Sequence, residues 1–140
     1  MEEFVYFFQQ KGIPVQNIAS LPSDVSPEPG RVLAKAVYNA AGELGLSQKE
    51  LAAVIGVSAA TVSRMKGGGY DLQGKPFELA ACLVRVFRSL DAIAGRDPDT
   101  TKGWMRNPNA DLHGVPGDLI LQAAGLISVM NYLDAARAPL

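Results

Sequence analysis

The chain has 140 residues, of which 48% are hydrophobic and 19% charged, enough apolar material to bury a core and too little charge for a disordered protein. A formal net charge of -1 excludes a uniformly basic surface, so any nucleic-acid footprint must be local. Cys82 is the one cysteine, which excludes an internal disulfide, and its apolar surroundings read as a small buried thiol.

Residues 1–30 read as an N-terminal arm or linker. The aromatic cluster Phe4–Phe8 needs something to cover it, and Pro14, Pro22, Pro27 and Pro29 argue for extended chain from Gly12 to Gly30. That apolar start follows two glutamates and is too short for a secretion signal. The longest uncharged stretch, Leu119 to Leu133, is too short to span a bilayer. A cytoplasmic protein is expected.

Arg31 to Gly45 reads as a helix with Val32, Ala36, Val37, Ala40 and Leu44 as its apolar stripe and Gly45 as its end. Leu46 to Met65 then reads as two short helices joined by a tight turn. Ser47 and Glu50 have capping-box spacing, and Leu46 and Leu51 suit a hydrophobic staple. Leu51, Ala52 and Ile55 share a buried face, Gly56 supplies positive φ, and Val57 plugs the turn. Ser58 caps the second helix, which Val62 and Met65 hold against the first. Ala59, Ala60, Thr61, Ser63 and Arg64 should then face outward, small side chains on a helix suited to a groove. Charge agrees, since residues 46–75 carry Lys49, Arg64, Lys66 and Lys75 against Glu50 and Asp71, whereas the flanks are slightly acidic.

Gly67-Gly68-Gly69 breaks that helix, Tyr70–Gly74 forms a loop, and Pro76 suits the start of a long helix over Phe77–Ile93 that is apolar on more than one side. Asp97-Pro98 opens a short helix holding Trp104. An irregular loop follows from Arg106 to Gly117, in which Asn107 and Asn109 can bond nearby backbone. Asp118 is placed to cap the next helix, and Leu126, Val129, Met130 and Leu133 stripe the last one. Ile127 and Tyr132 lie off that stripe, an excess of apolar surface that points to a partner.

Leu46-Ser47-Gln48, Leu51-Ala52, Gly56-Val57-Ser58 and Val62-Ser63-Arg64 resemble the helix-turn-helix of Xre-type, phage-repressor-like DNA-binding proteins. The resemblance implies that Gln48 reaches phosphate or a base edge. Thr61 and Ser63 can bond backbone or bases, Arg64 suits guanine or phosphate, and Lys49 and Lys66 supply charge. Ser58, Ala59 and Ala60 complete the predicted DNA face, the alanines by thymine-methyl contact and shape. Two copies about one DNA turn apart are expected, hence a homodimer.

Trp104 to Asn109, with Leu112, Gly114, Pro116 and Asp118-Leu119-Ile120, resembles the C-terminal toxin-binding domain of the Xre/MbcA/ParS antitoxin family. Gly125 and the helix through Val129–Leu133 fall where that pattern continues. Met105, Gln122 and Ala123-Ala124 depart from it, the last two in ways that bear on which toxin fits. The resemblance implies an antitoxin that blocks a toxin encoded beside it, frequently a RES-domain enzyme degrading NAD, and represses its own operon. The toxin interface is assigned to Arg106, Asn107, Asn109, Leu112, His113, Leu126, Met130, Tyr132, Leu133, Arg137 and Leu140, the last two in a tail from Ala135.

The expected architecture is all-α. An arm over 1–30 precedes a helix-turn-helix unit over 31–75 and a helical toxin-binding unit over 76–140. Catalysis is not expected: His113 is the single histidine, no Cys/His metal spacing exists, and the aspartates fall at helix starts and loops. No cofactor, small-molecule substrate or membrane partner is expected. The alternatives are a stand-alone repressor whose C-terminal half dimerises or senses a ligand, and an interaction protein whose helix-turn-helix no longer binds DNA.

Overall fold

The computed structural model describes residues 28–138. Within them the chain forms seven helices: α1 (Pro29–Glu43), α2 (Gln48–Ile55), α3 (Ala59–Lys66), α4 (Gly74–Ile93), α5 (Pro98–Arg106), α6 (Pro116–Leu119) and α7 (Ala123–Arg137). The aromatic cluster and most of the proposed arm lie outside the described residues. Its expected limit at residue 30 is corrected, because Pro29 opens α1 instead of extending a linker, its fixed φ suiting a first helical turn.

The buried face of α1 consists of Gly30, Leu33, Ala34, Val37, Ala40 and Ala41, followed by Leu44. Val32 and Ala36, expected inside, are only half-buried. The helix is squeezed between α3 and α4, so small side chains line its contact face and the apolar stripe turns by one position. Gly30 makes the close approach possible: a Cβ there would lie 1.9 Å from Asp71 Oδ1 and 2.3 Å from the Leu72 carbonyl oxygen. At the other end the Leu46 N–H bonds the Ala41 carbonyl (2.9 Å) and Gly45 N–H bonds that of Gly42 (3.1 Å), closing the helix as a Schellman motif around Gly45 at φ 76°.

Local chemistry shapes α2 and α3 as the sequence implies. Ser47 Oγ accepts from the Glu50 N–H (3.0 Å), and Glu50 Oε1 accepts from the Ser47 N–H (2.9 Å). Gly56 ends α2 in the left-handed region at φ 74°, and Ser58 Oγ accepts from the Thr61 N–H (3.1 Å) to start α3. After the glycines the chain enters α4 at Gly74, earlier than predicted. This helix packs on α1 along one side and on α7 along another, which explains its two-sided apolarity. One continuous core results, running from Leu33 and Val37 through Leu83, Val86 and Leu90 to Leu126 and Leu133. Each such fully buried aliphatic side chain contributes about 1.5–3 kcal/mol.

Beyond α5 the structure corrects one expectation. Asp118 does not cap the final helix; it sits inside the one-turn α6, whose N-cap is Val115, and Gln122 precedes α7. Pro116 preorganises that extra turn. The first turn of α7 then presses on the carbonyl end of α6, where a Cβ at Gly125 would stand 1.9 Å from the Leu119 oxygen. No helix among the described residues is long and apolar enough to cross a membrane.

Candidate functional site

Two surfaces carry the predicted site residues. On the first, Ser58, Ala59, Ala60, Ser63, Arg64 and Lys66 of the α3 region are exposed, as are Gln48 and Lys49 at the start of α2. Thr61 is the exception and corrects the expected outward face. It is 8% exposed, and its hydroxyl lies 3.1 Å from that of Ser58, so it braces the cap from inside. The helical register explains this, because Thr61 lies one residue before Val62 and four before Met65, both at the core. Gln48 is not loose: its Nε2 donates to the Tyr38 hydroxyl (2.9 Å). Tyr38 therefore fixes how Gln48 is presented, a role invisible in sequence because the partners sit on different helices.

The second surface is built by α5, the following loop and α7. Arg106 closes α5 and turns back to the helix-turn-helix. Its Nη1 donates to Glu50 Oε2 (2.8 Å) and its Nη2 to Glu50 Oε1 (2.7 Å), while Nη2 also donates to the Gly45 carbonyl (2.7 Å). Chiefly because of that bidentate contact, with the capping bonds to Ser47 assisting, the Glu50 carboxyl is held down at about 2; the guanidinium is pushed up by the same partner. Arg106, assigned to the toxin interface, thus serves as a clamp between the halves in the free chain.

The loop is set by its asparagines as expected. Asn107 Nδ2 donates to the Gly103 carbonyl (2.6 Å), and Asn109 Oδ1 accepts from the Leu112 N–H (3.1 Å). An isolated antiparallel bridge pairs Asn109 with Gly114, and exposed His113 stands in the turn between them at φ 59°, a conformation that costs a non-glycine residue energy. Leu112 is half-buried. Trp104 stacks on Tyr132 with ring centroids 6.3 Å apart, and the Tyr132 hydroxyl donates to Asp111 Oδ2 (2.9 Å). Thr100, Gly103, Trp104, Asn107, Pro108 and Asn109 line a shallow groove of about 290 Å³.

Leu126 and Leu133 are corrected as contact residues. They are 0% and 2% exposed and belong to the core against α4. Met130 is half-buried, Arg137 is exposed, and Leu140 lies outside the described residues. The most exposed large apolar side chains of α6, α7 and the segment between them are Leu121 (37% exposed) and Ile127 (39%). Leu121 was missed, its position being readable only once α6 is seen to end at Leu119. On the inner side of α7, Asp134 accepts from the Ser89 hydroxyl (3.1 Å) and pairs with Arg85 (2.8 Å), fixing the helix against α4. Cys82 is half-buried, and burial raises its thiol pKa, which disfavours the reactive thiolate. Among the described residues no three His, Cys, Asp or Glu side chains gather as a metal site.

An exposed small-residue helix after a capped helix and glycine turn, joined through α4 to a second helical surface, defines a DNA-binding regulator carrying a protein-binding domain. Comparison with known families gives the same division. The model of the antitoxin Xre-like helix-turn-helix domain matches residues 24–85, and that of the antitoxin Xre/MbcA/ParS C-terminal toxin-binding domain matches residues 85–138. The chain belongs to the Xre/MbcA/ParS-type antitoxins. No curated protein matches it. The two matches meet inside α4, the helix that both halves use as a wall.

Proposed function

We propose that this antitoxin neutralises a RES-domain, NAD-degrading toxin encoded beside it, and that as a homodimer it represses its own operon. The observation that carries the DNA half of this reading is the outward face of α3. Ala59, Ala60 and Ser63 present no bulk, and Arg64 and Lys66 stand exposed at its end, so the helix can enter a major groove and close on phosphate or guanine. Gln48, presented by Tyr38, and Lys49 flank it as backbone contacts. On the toxin half, the Trp104–Asn109 groove, His113, Met130, Tyr132 and Arg137 form the capture surface, with Leu126 and Leu133 supporting it from beneath. The working division of the chain is a helix-turn-helix unit over 31–75 and a toxin-binding unit over 76–140, α4 belonging to the second and walling the first.

Replacement of Arg64 by alanine tests the assignment. A gel-shift titration with the chain's own promoter should show operator affinity lowered by about tenfold or more, the equivalent of one good base or phosphate contact. Co-purification with the adjacent gene's product should be unchanged. Retained operator affinity would overturn the DNA assignment, and a neighbouring product that neither co-purifies nor consumes NAD would overturn the toxin assignment.

A further inference from the structure

We propose that Arg106 of the toxin-binding half is a positioning residue for operator recognition, holding the first helix of the helix-turn-helix in its DNA-reading pose. This rests on the reading of α2 and α3 as the operator-binding element. Three bonds converge on the entry to α2. Both terminal guanidinium nitrogens of Arg106 donate to the Glu50 carboxylate, and Nη2 also donates to the Gly45 carbonyl that the α1–α2 turn leaves open. Glu50 Oε1 simultaneously accepts from the Ser47 N–H, so the guanidinium extends the capping box into another domain element. Gln48, placed at phosphate or a base edge, lies next to that cap, and α3 packs on α2, so the pose of the base-reading helix depends on how α2 is held. A planar fork that grips both oxygens fixes orientation as well as distance, which a lysine cannot reproduce.

The surroundings are shaped around this contact. A Cβ at Gly117 would come within 3.2 Å of Arg106 Nη1 and 2.8 Å of the Met105 oxygen, so the glycine leaves room for the arginine beneath α6. Met105 beside it is 0% exposed, which anchors the end of α5 in the core. Lys102, one turn earlier, packs over Gly45, where a Cβ would lie 3.1 Å from its Cγ. The α5 end is therefore rigid on one side and bonded to α2 on the other. The next residue, Asn107, begins the loop of the proposed toxin surface, so one side chain lies between the two functions.

The test uses the full-length chain and its own promoter fragment. Arg106→Gln and Arg106→Lys should each weaken specific operator binding by about three- to tenfold, Glu50→Gln should do likewise, and the Arg106→Gln/Glu50→Gln double variant should lose no more than Arg106→Gln alone because that substitution already removes the Glu50 contact. Binding to a scrambled fragment and the slope of affinity against salt should stay as in the wild type. A residue that touches phosphate would instead lower specific and non-specific binding together and reduce that slope by about one. Unchanged operator affinity in Arg106→Gln, or a reduced salt slope, overturns the positioning role. A wild-type chain that shifts no promoter fragment overturns operator binding itself and this role with it. Thermal melts of each variant separate the two further: a loss of operator affinity that disappears at temperatures where variant and wild type are equally folded makes Arg106 a stability residue only and overturns the proposal.

Discussion

Glutamate 50 offers a quantitative check on the clamp. Its carboxyl is lowered from 4.5 to about 2, first by the Arg106 hydrogen bonds and further by the Ser47 backbone. A group whose pKa is depressed on folding stabilises the fold above its unfolded pKa and loses that contribution as pH falls toward its folded pKa. The window therefore runs from about pH 5 down to about pH 2. At 1.36 kcal/mol per pH unit the displacement sets a ceiling of about 3.4 kcal/mol. The Glu50 side chain is 25% exposed and that of Arg106 41%, so water screens the pair and about 1–2 kcal/mol is the expected value. Glu50→Gln keeps the shape and removes the charge. Urea unfolding followed by circular dichroism should show the variant about 1–2 kcal/mol less stable than wild type at pH 7, with more than half of that difference gone by about pH 3. A stability difference that stays constant from pH 7 to pH 3 would refute the clamp's charge-assisted character.

Substitutions at two further positions probe the contact between α6 and α7 and the cap of α3. In Gly125→Ala the new Cβ would start 1.9 Å from the Leu119 oxygen, whereas ordinary contacts begin near 3.4 Å, so α7 must shift or tilt. A loss of about 2–3 kcal/mol in urea unfolding is expected, together with weaker toxin capture in pull-down; an unaltered urea midpoint would show that α6 and α7 do not meet this closely. Ser58→Ala removes the acceptor for the Thr61 N–H and the hydroxyl beside Thr61 Oγ1 and should cost about 1 kcal/mol, while Ser58→Gly costs only a few tenths. Equal losses in the two variants would mean that the serine does not cap α3.

The helix-turn-helix was legible because its signals are local. Ser47 and Glu50 cap within three residues of each other, Ser58 does the same for Thr61, and Gly56 meets a backbone demand set by its immediate neighbours. The loop asparagines were legible for the same reason. Registers were harder. Counting apolar residues placed Val32 and Ala36 inside α1, yet a helix wedged between two others buries its small residues too, and Ala34 and Ala41 took those places. Thr61 looked outward by its polarity, but a hydroxyl satisfied by the adjacent Ser58 can be buried at little cost.

By itself, the order of residues determined an all-α chain with a capped helix-turn-helix in its middle, a long two-sided helix after it, and family motifs in that helix-turn-helix and in the C-terminal half. Short-range hydrogen bonds and the 3.6-residue period carry that information. Only the tertiary structure decided that Leu126 and Leu133 are core, that α6 intervenes before α7, and that Arg106 turns away from the proposed toxin surface to grip Glu50 across 56 positions of sequence. No periodicity encodes such a pairing, because it exists only once α4 has brought both halves against one wall. The same guanidinium, free in an unfolded chain to meet any carboxylate, is committed to this one by where the helices pack.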